Sequence, residues 1–152
     1  MHQMEISRRQ MLVGAAMTAV AVSLVPSLSF ADAAKADAAI KKATGGKPIK
    51  EGRVSIDAPE IAENGNTVPV GVSVESPMTA GDHVKAVHLF ADGNPTPGVA
   101  TFGFTPLSGE ANVRTRMRMA GTQNLIAVAE MSDGSIYMGK REVKVTIGGC
   151  GG

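Results

Sequence analysis

The chain holds a single cysteine, Cys150, set in the run Gly148-Gly149-Cys150-Gly151-Gly152. One cysteine cannot close an internal disulfide, so this thiol needs an explanation of its own. Glycine lacks a Cβ and adopts backbone conformations closed to other residues, which gives the cysteine unusual freedom and leaves its sulfur sterically naked. A thiolate is the reactive form, and no His, Lys or Arg flanks Cys150 to lower its pKa. The group therefore reads as a handle on which other enzymes act, not as a self-activated catalyst. Three residues beyond a strand end reach about 10 Å, enough to place the thiol in a neighbouring protein's cleft while the folded domain stays outside. Three other readings compete. The thiol could form an intermolecular disulfide and so a dimer linked through Cys150. It could carry a lipid, although bacterial lipoproteins bear that cysteine at the mature N-terminus. It could be an incidental cysteine in a frayed tail.

Few other residues suggest chemistry. There is no Cys-x-x-Cys-His and no metal-ligand spacing, so no cofactor is expected in the chain itself. Soft thioethers and a thiolate would select Cu(I), but Met117 and Met119 share a strand face with Val113, and core packing is the better reading. His83 and His88 lack a second ligand at a convincing spacing and are read as structural or surface residues. Arg114, Arg116 and Arg118 share one strand face and, with Lys144, would offer a docking surface to acidic partners. A solvated face is preferred, since exposed charge usually means only solubility.

The elements that must position the thiol follow from composition and period. The chain has 152 residues, a net charge of +1 and no tryptophan. This predicts one domain, without the basic excess that nucleic acid or an anionic membrane would attract. A core of Val, Ile, Leu, Met and Ala is expected, with Phe90, Phe102 and Phe104 as its few large pieces. From Asp32 to Lys42 the sequence is rich in alanine and lysine and is closed by Gly45-Gly46, so residues 32–50 read as a short helix or a tail. Beyond Lys50 the period becomes two. Val54 and Ile56 mark a first strand, and Val68, Val70, Val72 and Val74 a second, in which Pro69 predicts an edge position or a bulge. Val84–Ala91, Val99–Thr105, Ala111–Met119, Gln123–Met131 and Ile136–Ile147 follow, separated by Asp92-Gly93-Asn94-Pro95 and Asp133-Gly134 turns. About seven short strands without a long helix predict an all-β, immunoglobulin-like antiparallel β-sandwich over residues 51–147, ending in a flexible glycine arm over 148–152.

Residues 1–31 read as an address. Ser7-Arg8-Arg9-Gln10-Met11-Leu12 is followed by a weakly apolar run to Phe30, broken by Gly14, Thr18, Ser23 and Pro26. Positive charge, a moderate apolar segment and then small residues is the order of a bacterial export signal, and the adjacent Arg8 and Arg9 make it a twin-arginine signal. Cleavage is expected after Ala31, with Ala33 and Ala34 as near rivals. The run is too rich in Ala, Gly, Ser and Thr for a membrane anchor. The mature protein would be periplasmic.

Several motifs together resemble one family. They are the twin-arginine signal, Ala58-Pro59-Glu60-Ile61-Ala62-Glu63-Asn64-Gly65, Val68-Pro69-Val70, Asn94-Pro95, Thr122-Gln123, Ser132-Asp133-Gly134 and the closing Gly148-Gly149-Cys150-Gly151-Gly152. The chain resembles the SoxY family, the sulfur-carrying subunits of the bacterial thiosulfate-oxidising system. The resemblance implies a substrate shuttle that pairs with SoxZ in the periplasm. It implies that the haem enzyme SoxAX couples thiosulfate to Cys150 and that the metal hydrolase SoxB releases sulfate. A sulfane dehydrogenase, SoxCD, would oxidise the remaining sulfur where it is present. A rival class is the ubiquitin-like thiocarboxylate carrier, which also ends in Gly-Gly. That class needs ATP, which an exported protein lacks, and it would leave Cys150 without a use.

Overall fold

The computed structural model of the chain describes residues 28–149. Among these residues helix α1 (Leu28–Thr44) precedes nine strands: β1 (Ile49–Glu51), β2 (Val54–Asp57), β3 (Ile61–Asn64), β4 (Val68–Val74), β5 (Val84–Ala91), β6 (Gly98–Gly103), β7 (Ala111–Met117), β8 (Gln123–Met131) and β9 (Ile136–Ile147). The seven strands expected from the period-two runs are all present. The fold is an immunoglobulin-like sandwich, with a three-stranded sheet ordered β2-β4-β7 facing a six-stranded sheet ordered β1-β9-β8-β5-β6, in which β3 also pairs with β9.

The two strands that the period did not reveal, β1 and β3, are short, and neither alternates in burial over more than a residue or two. Both pair parallel to the long β9, on successive stretches of it: Ile49 opposite Ile136, then Ile61 opposite Lys144 and Asn64 opposite Ile147. Between them the chain crosses to the other sheet as β2. The sandwich is therefore antiparallel except along this edge, and it begins with β1, inside the stretch 32–50 read as helix or tail. Pro69 does not mark an edge strand. β4 is the centre of its sheet, but β2 reaches only as far as Gly71. Pro69 faces Arg116 of β7 on one side and has no strand on the other, so no ladder bond is lost there.

Alternation places the core. Val68, Val70, Val72 and Val74 of β4 meet Val87, Leu89, Leu125, Ala127, Ala129 and Val143 from the opposite sheet, all buried. Met117, Met119 and Met131 lie in the same cluster, as core packing predicts. Phe102 and Phe104 pack at its margin. Phe90 turns the other way. The outer face of the six-stranded sheet carries a second cluster of Phe90, Ile126, Val128 and Ile136, roofed by Ile40 with Ala39 and Ala43 of α1. β8 is thus buried on both faces, which accounts for its unbroken apolar run Leu125 to Ala129.

The segment read as helix or tail is a helix because this second face requires a cover. Ala36 and Ile40, one helical turn apart, are buried on its inner side. Gly45 and Gly46, with φ of 62° and 74°, end it in the left-handed region that glycine tolerates. No described helix is long and apolar enough to cross a membrane. Truncating Ile40→Ala is expected to lower unfolding free energy by about 2–4 kcal/mol, measured by denaturant titration, because it removes the largest side chain of the roof.

Candidate functional site at the base of the C-terminal arm

β3 and β9 run side by side in the same direction and reach the same end of the sandwich together, at Asn64 and Ile147. Their parallel course brings the Asn64-Gly65 turn against the start of the glycine arm. The Gly65 amide donates to the Ile147 carbonyl (2.7 Å), the Met119 amide donates to the Gly65 carbonyl (2.8 Å), and the Gly149 amide donates to the Met119 carbonyl (2.8 Å). Three separate chain segments are tied by backbone bonds, which two threonine side chains reinforce. The Thr146 hydroxyl donates to the Glu63 carbonyl (2.8 Å), and the Thr122 hydroxyl oxygen accepts from the Val145 amide (3.0 Å). Asn64 Oδ1 accepts from the Asn66 amide (2.9 Å) and shapes the turn itself.

This knot has no room for side chains. A Cβ on Gly65 would fall on the Met119 carbonyl oxygen and within 2.6 Å of the Gly149 nitrogen. One on Gly148 would fall on the Ala120 carbonyl oxygen, and one on Gly149 would lie 2.6 Å from the Gly65 carbonyl oxygen. All of these obstacles are backbone atoms, which cannot swing aside. Gly65 and Gly149 are buried. The glycines before the cysteine therefore serve close approach. The expectation of an arm free from Gly148 onward is not met at Gly149, which is bonded and buried, while Gly148 is exposed but lies close against the Ala120 carbonyl. Cys150, Gly151 and Gly152, like Arg8 and Arg9, lie outside the described residues.

Behind the knot sits a buried amide pair. Asn94, 3% exposed, donates from Nδ2 to the Arg118 carbonyl (2.9 Å) and accepts on Oδ1 from the Ala120 amide (3.0 Å). Gln123, 5% exposed, donates from Nε2 to Asn94 Oδ1 (2.8 Å) and to the Gly121 carbonyl (3.1 Å), and its Oε1 accepts from the Gly93 amide (2.8 Å). Together they bind residues 118–121, the connector from β7 to β8 whose carbonyl holds Gly149. In the sequence Asn94-Pro95 reads only as part of a turn and Gln123 only as the start of a strand. A signal was nevertheless present, since residues of four of the motifs that carried the family resemblance converge on this one place.

The remaining candidates lie elsewhere. Arg114, Arg116 and Arg118 are all exposed, and β4 sets Gly71 and Pro69 opposite the first two, with Asp57 of β2 on the far side of Gly71. Lys144 does not join them: it is on β9, in the other sheet. His83 Nδ1 lies 3.0 Å from the Thr79 carbonyl and His88 Nδ1 lies 2.9 Å from Thr101 Oγ1, both local pairings. Among the described residues no three His, Cys, Asp or Glu side chains converge as metal ligands would. Asp133 is held below the usual carboxylate range by the Ser135 hydroxyl and amide, but it sits at the opposite end of β9. A shallow cavity of about 310 Å³ between Asp57, Pro69, Gly71 and Arg114 lies on the outer face of the three-stranded sheet and takes in none of the knot's residues.

The family model for "Sulfur oxidation protein SoxY" matches residues 40–150, from the roof residue Ile40 through the knot to the cysteine. The chain belongs to the SoxY family. It is 40% identical to the sulfur carrier protein SoxY from Chlorobium limicola f thiosulfatophilum, over 77% of this chain and 97% of that one, with a TM-score of 0.66. The superoxide reductase (neelaredoxin) from Ignicoccus hospitalis, 20% identical over 64% of this chain and 94% of that one, has a TM-score of 0.57. A putative superoxide reductase from Thermotoga maritima, 21% identical over 67% and 89%, has a TM-score of 0.53. These last two share the fold alone. No curated protein matches the chain. Family membership makes the protein a sulfur carrier rather than a catalyst, and the knot is where a member of this family holds the root of its C-terminal segment. Replacing Gln123→Leu would leave the Gly93 amide without its acceptor. A loss of about 1–3 kcal/mol in unfolding free energy is expected from denaturant melts.

Proposed function

We propose that the protein carries sulfur covalently on Cys150 and presents thiosulfate-derived intermediates to other enzymes during oxidation of thiosulfate to sulfate. The observation that carries this reading is positional: the chain's one cysteine follows directly on Gly149, whose amide the Met119 carbonyl holds. A carrier needs its reactive group outside the core, on a root that stays in one place, and the knot supplies that root.

The chemistry asks little of this chain beyond a thiolate. In the first step Cys150 sulfur bonds to the outer sulfur of thiosulfate, and two electrons leave to a haem partner such as SoxAX, giving a Cys–S–S–sulfonate. Water then cleaves the terminal S–S bond at a hydrolase such as SoxB. Sulfate and protons depart, and a persulfide remains on Cys150. Where a sulfane dehydrogenase such as SoxCD is present, three waters supply the oxygens and six electrons leave, giving Cys–S-sulfonate. A second hydrolysis restores the thiol. Haem and metals belong to those partners. SoxZ is the expected standing partner, a protein of similar fold.

A periplasmic setting is part of the reading, reached through the twin-arginine signal at Arg8 and Arg9. Among the described side chains of α1 the buried ones are Ala36, Ile40 and Thr44, and all three lie beyond each expected cleavage point. Intact-protein and peptide mass spectrometry of the mature chain, before and after thiosulfate turnover, tests the carrier directly. Reductant-sensitive sulfur adducts confined to the Cys150 peptide are expected. Cys150→Ser should abolish thiosulfate-dependent turnover while leaving the melting temperature unchanged. A serine variant that turned over normally, or a thiol that only ever formed a dimer disulfide, would overturn the reading.

A further inference from the structure

We propose that Asn94 is a positioning residue for Cys150, acting through a backbone latch that gives the arm two lengths. The purpose assigned to the latch rests on the carrier reading of Cys150, but its existence does not.

Asn94 brackets Met119. Its Nδ2 donates to the carbonyl of Arg118, the residue before, and its Oδ1 accepts from the amide of Ala120, the residue after. With those two groups occupied on one side, the amide and carbonyl of Met119 turn to the other, where they meet the Gly65 carbonyl and the Gly149 amide. The Met119 side chain is fully buried and fixes the same residue from the core. Gln123 fixes the bracket in turn by donating to Asn94 Oδ1. A buried side-chain network thus aims one carbonyl at the residue that precedes the thiol.

The latched state is selected by sterics as well as by the bond. Gly148 and Gly149 lie where any Cβ would strike the Ala120 or Gly65 carbonyl oxygen. If these two glycines were needed only for freedom of motion, nothing would require backbone to approach them so nearly. With the latch closed, Cys150 is one residue from a held point, about 3.8 Å between Cα atoms. Its thiol then travels with the rim of the sandwich. With the latch open, the nearest ladder anchor is Ile147, and the three residues after that strand end reach about 10 Å. A closed latch suits a partner that engages the rim itself, and an open one suits a deeper site. Asn94 sets the balance between the two.

The test is amide hydrogen exchange by NMR on the full mature chain, read at Gly149 and referenced to core amides of β4 and β8. In the wild type Gly149 should be protected. Asn94→Ala should speed its exchange by about fivefold, the factor one backbone hydrogen bond carries. Gly148→Ala, which strikes the Ala120 carbonyl and leaves Asn94 untouched, should do the same. Asn94→Asp keeps both accepted bonds but sets a carboxylate oxygen against the buried Arg118 carbonyl, so a rise at least as large is expected; Gln123→Leu, which removes the donor to Asn94 Oδ1, serves if neither Asn94 variant folds. Val87→Ala, a core truncation remote from the knot, should lower the melting temperature without changing Gly149 relative to its neighbours. A nitroxide on Cys150 should give a narrower spectrum in the two latch variants than in the wild type. An unprotected Gly149 in the wild type would overturn the latch, and wild-type protection in a folded Asn94→Ala would overturn the role of Asn94. Neither outcome touches the carrier reading, which the Cys150 adduct masses decide by themselves.

Discussion

Three backbone segments meet at Gly65 more closely than any side chain would permit, and the geometry of the functional end of the molecule depends on that approach. The Met119 carbonyl can accept from Gly149 only because neither Gly65 nor Gly149 has a Cβ to hold the chains apart. Packing in protein interiors is dense enough that one methyl group in such a place displaces a neighbour. Here the neighbours are carbonyl oxygens in a hydrogen-bonded chain, so displacement means breaking bonds. Gly148 and Gly149, which precede Cys150, are therefore packing residues.

β9 is the element that makes the approach possible. It takes β8 along one edge, and β1 and then β3 in parallel along the other. A parallel partner is what brings two strand ends, and hence two turns, to the same place; an antiparallel partner would have put the start of β3 there instead. The crossing through β2 that separates β1 from β3 passes close to β9, where Gly139 leaves room for the Val54 carbonyl. A further glycine with an ordinary φ thus serves proximity, at the point where the two sheets are stitched together.

Much of this was legible beforehand, for a definable reason. Strands with one buried face announce themselves by alternation, so β4, β7 and β9 stood out in their valine and methionine spacing. β8 is buried on both faces, and its apolar run was readable as a strand without revealing that a helix must cover it. What stayed hidden was everything whose signal lies in backbone rather than side chains. β1 and β3 are three- and four-residue strands held by pairing to β9, with Ile49 and Ile61 exposed. Gly148 and Gly149 have the same letters whether they flex or pack, and composition alone favoured flexing. Asn94 and Gln123 were polar residues in turn and strand contexts, and only the fold shows that they are buried and mutually satisfied. Cys150 was the easiest residue to single out, because an unpaired thiol among glycines has no packing explanation.

The magnitude of the latch fits its place in a carrier. A backbone hydrogen bond contributes about 0.5–1.5 kcal/mol net to a folded state, because water competes for both partners. That is enough to keep the arm docked most of the time and far too little to resist a protein interface. Opening at Gly149 leaves the Gly65 amide on Ile147 and the Met119 amide on Gly65, so the sandwich keeps its ladder and its turn. The bracket formed by Asn94 is worth more than the bond it aims, since breaking it strands several buried polar groups at once. Toward the C-terminus the chain passes from a satisfied amide network to a shared backbone knot and then to the single Gly149 bond, so losing that last bond leaves the fold behind it unaffected.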